Sequence, residues 1–386
     1  MNLVWGIVIG VIALTILVVL HELGHALVAR RNGVRVEEFG IGFPPAAYKK
    51  KVKKSFLGKN VAYSVNWLPL GGFVKLQGEH DDDKKPGDYG AATFWQKTKI
   101  LLAGVAMNWL TAVILLTILA WFGLPQLVPH QFTVASDTRI IYNPVVLASI
   151  EKDLPAGSAG LKSGDAVISV NGEKIKTSAQ LSEVSAAHKG EMVRVTYKRD
   201  GTERVAHVAL RSTNDDKRGY LGAGLSQERL TRSTWSAPIV GVGVTMQLTG
   251  ITLQGLGQVI GDGVSGLVMK LVPNDSAQKQ ANQKLSSASQ SVGGPLSIFG
   301  ILFPAAERAG VRYVVMMTAL ISLTLAVMNI LPIPALDGGR WFVTAVFRLL
   351  KKPLTKEREE KIHGTGFLAL LLLVVLVTIS DVVKLL

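Results

Sequence analysis

The stretch LVWGIVIGVIALTILVVLHELGH, residues 3–25, decides how this chain folds. Its first eighteen residues carry no charge, and they are enough to cross a bilayer as a helix. The last five, His21-Glu22-Leu23-Gly24-His25, form an HExxH motif. Residues four apart share one face of a helix, so both imidazoles can bind one metal ion beside the Glu22 carboxylate. The motif predicts a zinc site in which Glu22 takes a proton from the attacking water.

A chance match in a structural helix is the alternative interpretation of this motif. It is disfavoured because ionisable side chains within a span are costly and mark function by default. The first helix also resembles a signal peptide, but it has no basic start and no small-residue cleavage site. We therefore expect it to be retained, with its chemistry inside or at the edge of a bilayer.

Composition points to a membrane protein. Of 386 residues, 48% are hydrophobic, and the mean hydropathy is +0.32, too apolar for an ordinary soluble protein. Cysteine is absent, so a metal site must use His and carboxylate ligands. The net charge of +14 is clustered beside apolar segments, which fits membrane topology better than nucleic-acid binding.

The predicted fold class is a multi-pass α-helical membrane protein with four spans, a re-entrant β-hairpin loop and an extracytoplasmic α+β domain. In chain order we expect eight parts. They are a first transmembrane helix (1–30), a cytoplasmic basic loop with the hairpin (31–97), a second transmembrane helix (98–123), the extracytoplasmic domain (124–230), an interfacial or amphipathic segment with a polar loop (231–311), a third transmembrane segment (312–340), a cytoplasmic loop (341–364) and a fourth transmembrane helix (365–386).

Basic residues set the expected orientation. Residues 30–60 hold nine Lys or Arg against two acids, and residues 340–363 hold seven against three. Both loops should therefore be cytoplasmic, with residues 124–230 on the other side of the plasma (inner) membrane.

Asp337 is the candidate third ligand. It lies in Asn329-Ile-Leu-Pro-Ile-Pro-Ala-Leu-Asp-Gly-Gly339, where two prolines break the helix and two glycines allow close backbone approach. A cytoplasmic Asp-Gly-Gly turn is the alternative. His21 and Asp337 coincide only if their helices run in the same direction, which requires an odd number of crossings between them. We therefore predict that residues 235–272 do not cross, but lie along the outer interface or pack against the bundle.

Together, HELGH, NILPIPALDGG and the insert between them resemble the site-2 protease family of intramembrane zinc metalloproteases, in its bacterial RseP-like form with one PDZ domain. The resemblance implies Zn²⁺ held by His21, His25 and Asp337, with Glu22 as the catalytic acid and base. It implies that Asn329 contacts the substrate peptide or steadies the transition state. It also implies single-span membrane substrates, such as anti-sigma factors or remnant signal peptides, and an upstream site-1 protease.

Further substrate-binding candidates come from two other segments. Residues 60–67 and 73–76 are β-like runs around a turn and resemble the family's re-entrant β-loop, whose edge could take an extended substrate, at Gly71, Gly72 and Phe73. A cytoplasmic surface hairpin is the alternative. The second span of the family commonly has Ala-Gly-Pro-x-x-Asn, whereas residues 103–108 of this chain read Ala-Gly-Val-Ala-Met-Asn. The proline is therefore missing, but Asn108 remains and is the last substrate-binding candidate.

Residues 133–212 resemble a PDZ domain, either binding peptides at a sheet edge or merely excluding bulky ectodomains. Residues 274–291 are polar and are predicted to form a flexible loop. The predicted function is a zinc-dependent intramembrane endopeptidase acting in regulated intramembrane proteolysis, with membrane lipid as a partner and no nucleic acid. The alternatives are a non-catalytic membrane scaffold, a nucleic-acid or anionic-lipid binder, and an Fe(II) site with the same ligands.

Overall fold

The computed structural model describes residues 2–385 except 217, 271–273 and 292. The chain divides into two compact units: unit 2 is Ala120–Val240, and unit 1 comprises the residues before and after it. The long helices of unit 1 are α1 (Asn2–Arg31), α2 (Phe94–Phe122), α5 (Ala237–Lys270), α6 (Asp275–Ser291), α9 (Val311–Asn329), α10 (Asp337–Leu349) and α11 (Lys356–Leu385). Shorter turns connect α6 to α9: α7 (Pro295–Ser297), a π-helical segment (Ile298–Leu302) and α8 (Phe303–Ala309). The helices α3 and α4 belong to unit 2.

Five of the described helices are long and apolar enough to cross a membrane, judged by length and composition: α1, α2, α5, α9 and α11. Four of them fall where the sequence predicts spans. The third predicted span is shorter than expected, because α9 ends at Asn329, ahead of Pro332 and Pro334. The fifth helix, α5, adds one candidate span to the four that were predicted.

Helix α5 packs antiparallel to α2. A Cβ on Gly241 would lie 2.1 Å from Thr117 Oγ1, and Trp109 Nε1 donates a hydrogen bond to Thr249 Oγ1 over 3.2 Å. Position 241 is thus beside 117, and 249 is beside 109. Residues 235–272 were expected either along the outer interface or packed against the helix bundle, and α5 contacts the bundle.

The requirement for an odd number of crossings would exclude α5 as a span only if no later segment before α9 returned across the membrane. In fact α6 folds back along α5, where a Cβ on Gly266 would lie 2.9 Å from the Leu285 side chain. The chain then returns to the start of α1, where a Cβ on Gly6 would lie 2.4 Å from Pro304 Cα. Helices α1 and α9 therefore run in the same direction, as predicted, whether or not α5 crosses.

Residues 36–76 form a small sheet and not a simple hairpin. The strands β1 (Val36–Ser55) and β2 (Gly58–Leu76) turn at residues 56–57, and residues 46–55 pair with 58–66. Residues 38–41 have partners on both sides, 72–75 and 62–65. The two predicted β-like runs are therefore strands, but they pair with 38–41 between them and not with each other. The lysines at 49–54 lie in β1, where a basic loop was expected.

Two further segments predicted as loops are helical. Residues 275–291 form α6, because Lys284 pairs with Asp262 of α5 at 3.3 Å and Ala281 is buried, contacts that composition does not reveal. The expected cytoplasmic loop 341–364 lies mostly in α10 and the start of α11. These helices are linked by Arg340, which lies 3.3 Å from Glu359.

Unit 2 is built on a sheet of order β10-β5-β6-β8-β9, with β7 pairing with β6. Its strands are β5 (Val145–Ile150), β6 (Ala166–Val170), β7 (Glu173–Lys174), β8 (Met192–Arg199), β9 (Thr202–Ala209) and β10 (Ala223–Ser226), with helices α3 (Pro155–Ser158) and α4 (Ser178–Ala187). A smaller sheet has the order β3-β11-β4, formed by Leu124–Pro125, Arg229–Arg232 and Arg139–Tyr142. The alternation of apolar residues along β8 and β9 forms the core of the unit, where Val195 and Val208 are fully buried.

Candidate metal centre

The two histidines of the HExxH motif lie together on the inner face of α1. Both are 7% exposed, and their rings meet edge to face with centroids 4.7 Å apart. The two Nε2 atoms are 3.1 Å from each other. The helical spacing of four residues thus brings two potential ligand atoms to one point, as the sequence predicted.

Asp337 completes the cluster from the other end of the chain. It is the first residue of α10, and its Oδ2 lies 3.0 Å from His21 Nε2 and 3.3 Å from His25 Nε2. The two glycines that follow permit this approach, because a Cβ on Gly338 would lie 2.2 Å from Ile330 O and one on Gly339 would lie 1.9 Å from Ile333 O. The break after α9 therefore folds tightly back to present the carboxylate.

The three atoms fit a zinc ion. His25 Nδ1 lies 2.7 Å from the carbonyl oxygen of Ile100, so Nδ1 carries the proton and Nε2 presents its lone pair. Three lone-pair atoms converging within 3.3 Å repel one another unless a cation lies among them. Ligands about 2.0–2.1 Å from a tetrahedral metal lie about 3.3 Å from each other, which is close to the spacing found here.

Helix α2 forms the wall behind both histidines. A Cβ on Gly104 would lie 2.4 Å from His25 Nε2 and 2.7 Å from His21 Nε2. A Cβ on Gly24 would lie 2.6 Å from Ala103 O. Glycine at both positions lets α1 and α2 cross closely enough for the α2 backbone to border the metal position.

Asn108 of α2 lies beside His21. It is 1% exposed, and its side-chain amide lies 3.2 Å from His21 Nδ1. Its Oδ1 is buried and has no hydrogen-bond partner among the described residues. Turning the amide by 180° lets Oδ1 accept a proton from Nδ1 and leaves Nε2 free for the metal. Asn108 is thus placed to orient the His21 imidazole from behind, and its predicted contact with substrate stays a prediction.

Glu22 points toward the small sheet. Its Oε2 accepts a hydrogen bond from the backbone N–H of Val74 over 3.0 Å. Val74 belongs to the run 72–76, whose other side pairs with β1. The Glu22 carboxylate is therefore oriented by a strand that packs against α1.

The remaining predicted site residues lie on that strand and at the end of α9. A Cβ on Gly71 would be 3.3 Å from Val18, and one on Gly72 would be 3.2 Å from Val19, so both glycines lie against α1 just ahead of the motif. The Phe73 ring covers Gly40 of β1. Asn329 is the half-buried last residue of α9, ahead of the loop that leads to Asp337.

Sequence reasoning missed three contributors to this centre. Gly104 was visible only as part of a motif, and nothing local indicates that it faces the histidines. The carbonyl of Ile100 and the amide of Val74 are backbone groups, which carry no signal in residue type. All three depend on how α1 packs against α2 and the sheet.

Comparison with known proteins agrees with this centre. The sequence model described as Peptidase family M50 matches residues 9–373, which includes the motif, the strand and Asp337. The chain belongs to peptidase family M50. That match extends over nearly the whole chain.

Curated relatives of this M50 member align over nearly their full length. A Clostridium perfringens protein provisionally named a zinc metalloprotease is 30% identical over 377 residues, 98% of each chain. "Zinc metalloprotease RasP" of Geobacillus kaustophilus is 26% identical over 95% of each chain. "Regulator of sigma-W protease RasP" of Bacillus subtilis is 24% identical over 96% of each. This M50 protein is therefore a zinc metalloprotease of the RasP type, and its apolar helices fit a multi-pass membrane protein.

Among solved structures, a PDZ domain of an SdrC-like protein from Listeria monocytogenes matches 22% of this M50 chain and 92% of its own, at 24% identity and a TM-score of 0.21. A score this low does not assign a fold to any part of the chain.

Proposed function

We propose that this protein is an intramembrane endopeptidase that cuts single-span membrane proteins, with zinc held by His21, His25 and Asp337. The convergence of these three ligand atoms just after the uncharged stretch 3–20 of α1 supports the proposal most strongly. Leu3 to His21 corresponds to about 27 Å of helix at about 1.5 Å per residue. The site would therefore lie close to the cytoplasmic edge of the hydrocarbon core.

The chemistry assigns one role to each group. Bound zinc would supply Lewis acidity, polarising the scissile carbonyl and lowering the pKa of water. Glu22 takes the proton of the attacking water and passes it to the leaving amine. The Val74 amide holds Glu22 in place until substrate arrives, and Asn108 and the Ile100 carbonyl fix the orientation of the two imidazoles.

The substrate would bind as an extended strand beside residues 72–76. A helical substrate hides its scissile carbonyl in its own hydrogen bonds, so it must unwind before it is cut. The edge at 72–76 offers backbone groups for strand addition next to Glu22. The contact of the sheet with the apolar stretch of α1 supports this role, since Thr15 Oγ1 lies 2.7 Å from Pro69 O. Gly71, Gly72, Phe73 and Asn329 are the proposed substrate contacts.

Unit 2 is proposed to be the extracytoplasmic PDZ domain, and the basic regions around 30–60 and 340–363 to be cytoplasmic. A sheet with α4 packed across it supports the first assignment, since Leu181 and Val184 of α4 lie in the same core as the strands. Reporter fusions at Gly58 and Lys352 test the second. Either fusion reporting from the outer side would overturn this topology.

The substrates are proposed to be anti-sigma factors or remnant signal peptides, shortened first by a site-1 protease. The name of the Bacillus subtilis relative, a regulator of sigma-W, motivates the first class. A substrate with its outer domain removed should be cut faster than the full-length protein. Equal rates would exclude the need for a first cut.

The deciding experiment compares the purified chain with Glu22→Gln in detergent against a panel of single-span substrates. We expect the native chain to cut, and the variant to keep about one zinc per chain while losing cleavage. His25→Ala is the matched control, expected to lose both zinc and cleavage. Cleavage that survives Glu22→Gln, or a native chain that holds no zinc, would contradict the proposal.

A further inference from the structure

Helix α11 has few inward contacts for a helix of its length. Few residues of its apolar stretch are buried, and side chains such as Leu368 and Leu372 are at least 60% exposed. Its close contacts with the loop before Asp337 come from one short stretch, residues 363–366. The loop itself, residues 330–336, joins α9 to α10 and ends beside the third ligand.

Gly366 makes the closest of these contacts. A Cβ placed on it would lie 2.5 Å from Pro334 Cβ and 2.6 Å from Pro334 O. Real side chains do not approach this closely, and backbone atoms cannot give way as a flexible side chain can. Gly364, two residues earlier on the same helix, has no such contact, since a Cβ placed on it would meet no described atom within 4 Å.

His363 holds the next loop residue by a hydrogen bond. The backbone N–H of Ala335 donates to His363 Nδ1 over 3.2 Å. Ala335 has φ of +81°, a left-handed conformation that an alanine adopts only when its surroundings impose it. Because Nδ1 accepts, the proton of the neutral ring is on Nε2, which is buried beside the cavity that Asp337 and Arg340 also line.

We propose that His363 and Gly366 are positioning residues for the third metal ligand: together they clamp residues 334–335 so that the Asp337 carboxylate reaches the two histidines. Within the loop the N–H of Leu336 donates to Ile333 O over 3.1 Å, but Pro334 has no N–H to donate and the N–H of Ala335 donates to His363, so the contacts with α11 add to the bonds of the loop itself. Asp337 follows only two residues later. The inference rests on the proposed function, since it assumes zinc at His21, His25 and Asp337.

The test measures zinc affinity of the full-length chain in detergent, by competition with a chromophoric chelator, without any substrate. Gly366→Ala should raise the Kd for zinc about 10–100-fold, the range found when groups supporting metal ligands are changed. Gly364→Ala makes the same chemical change on the same helix and should leave the Kd unchanged within about twofold. This pair separates the close contact from any general effect of alanine on the helix.

A second pair tests the hydrogen bond. His363→Leu removes the acceptor and should raise the Kd about tenfold, whereas Asn places Oδ1 near the position of Nδ1, so His363→Asn should restore most of the affinity. Hydrogen exchange of the peptide that contains Ala335 should accelerate in the Leu variant and not in the Asn variant. A merely structural role would lower the melting temperature of both variants without this difference.

The outcomes separate the two proposals. If the native chain binds no zinc, the proposed function fails and this inference fails with it. If the native chain binds zinc and both Gly366→Ala and His363→Leu bind it equally well, the clamp is refuted while the protease assignment stands. Should Gly366→Ala fail to fold, the Leu and Asn pair at position 363 decides, and equal Kd values for those two variants would overturn the inference.

Discussion

Gly104→Ala tests whether the α2 backbone borders the metal. The added Cβ would lie 2.4 Å from His25 Nε2, whereas ordinary contact begins at 3.4 Å, so the imidazole or the helix must move by about 1.0 Å. Zinc sites tolerate deviations of about 0.2 Å in ligand distance. The substitution should therefore remove His25 as a ligand, although the HExxH motif is unchanged.

The size of the effect follows from the ligand count. Zinc binding in structural sites is worth about 10–16 kcal/mol, so one of three protein ligands contributes roughly 3–5 kcal/mol, or about 10²–10⁴ in Kd. Chelator competition on the purified chain measures this directly. Gly255→Ala on α5 is the control, because a Cβ there would meet no described atom within 4 Å.

A Kd for Gly104→Ala within about threefold of the native value, with an unchanged melting temperature, would refute the reasoning. It would mean that the metal does not lie between α1 and α2 at this level. The same result would remove the physical reason for glycine at position 104.

Three further predictions concern other parts of the molecule. Asn108→Leu removes the partner of the His21 imidazole and should weaken zinc binding about 10–100-fold. Asn108→Asp keeps an acceptor oxygen and should weaken zinc binding less, so equal Kd values for the two variants would contradict this role. Glu359→Ala leaves the guanidinium of Arg340 without its carboxylate partner and should lower the free energy of unfolding by about 2–4 kcal/mol, measured by denaturant titration. A loss of less than about 0.5 kcal/mol would show that this ion pair does not stabilise the fold. Burial acts to raise the pKa of Asp165, but hydrogen bonds from Arg199 outweigh it and hold the pKa below its usual value. That contribution to stability is present above the unfolded pKa of about 3.9 and is lost as pH falls through the folded pKa, so exchange protection of unit 2 should drop below about pH 4 and should drop less in Arg199→Met.

The ligand set could be predicted from sequence because its signals are local. His21 and His25 are one helical turn apart, and Asp337 is an ionisable residue at the end of an apolar run. Both facts are visible in residue type and spacing alone. The same locality explains why α1, α2, α9 and α11 were expected in these parts of the chain, although α9 ends at Asn329 and α11 begins at Lys356, earlier than predicted in both cases.

The missed features depend on contacts between distant segments. The pairing of residues 38–41 with two partners cannot be read from alternation, which says that a strand exists and not which strand it joins. The polar segment 275–291 has a composition typical of loops, and its helix lies along α5. The family motif marks Asn108 as a candidate site residue but does not show what it contacts. The structure shows that its side chain lies beside His21.

The position of Asp337 in the chain bears on when activity can begin. The ligands His21 and Asp337 are 337 − 21 = 316 residues apart, so the two ends of the site emerge from the ribosome far apart in time. At a synthesis rate of about 5–20 residues per second, the third ligand appears about 15–60 s after the first. Throughout that interval the chain is membrane-inserted but lacks a metal ligand. Until residue 337 has been translated, a newly made chain therefore lacks one of the three residues proposed to hold zinc, and we expect it to be inactive toward other nascent membrane proteins.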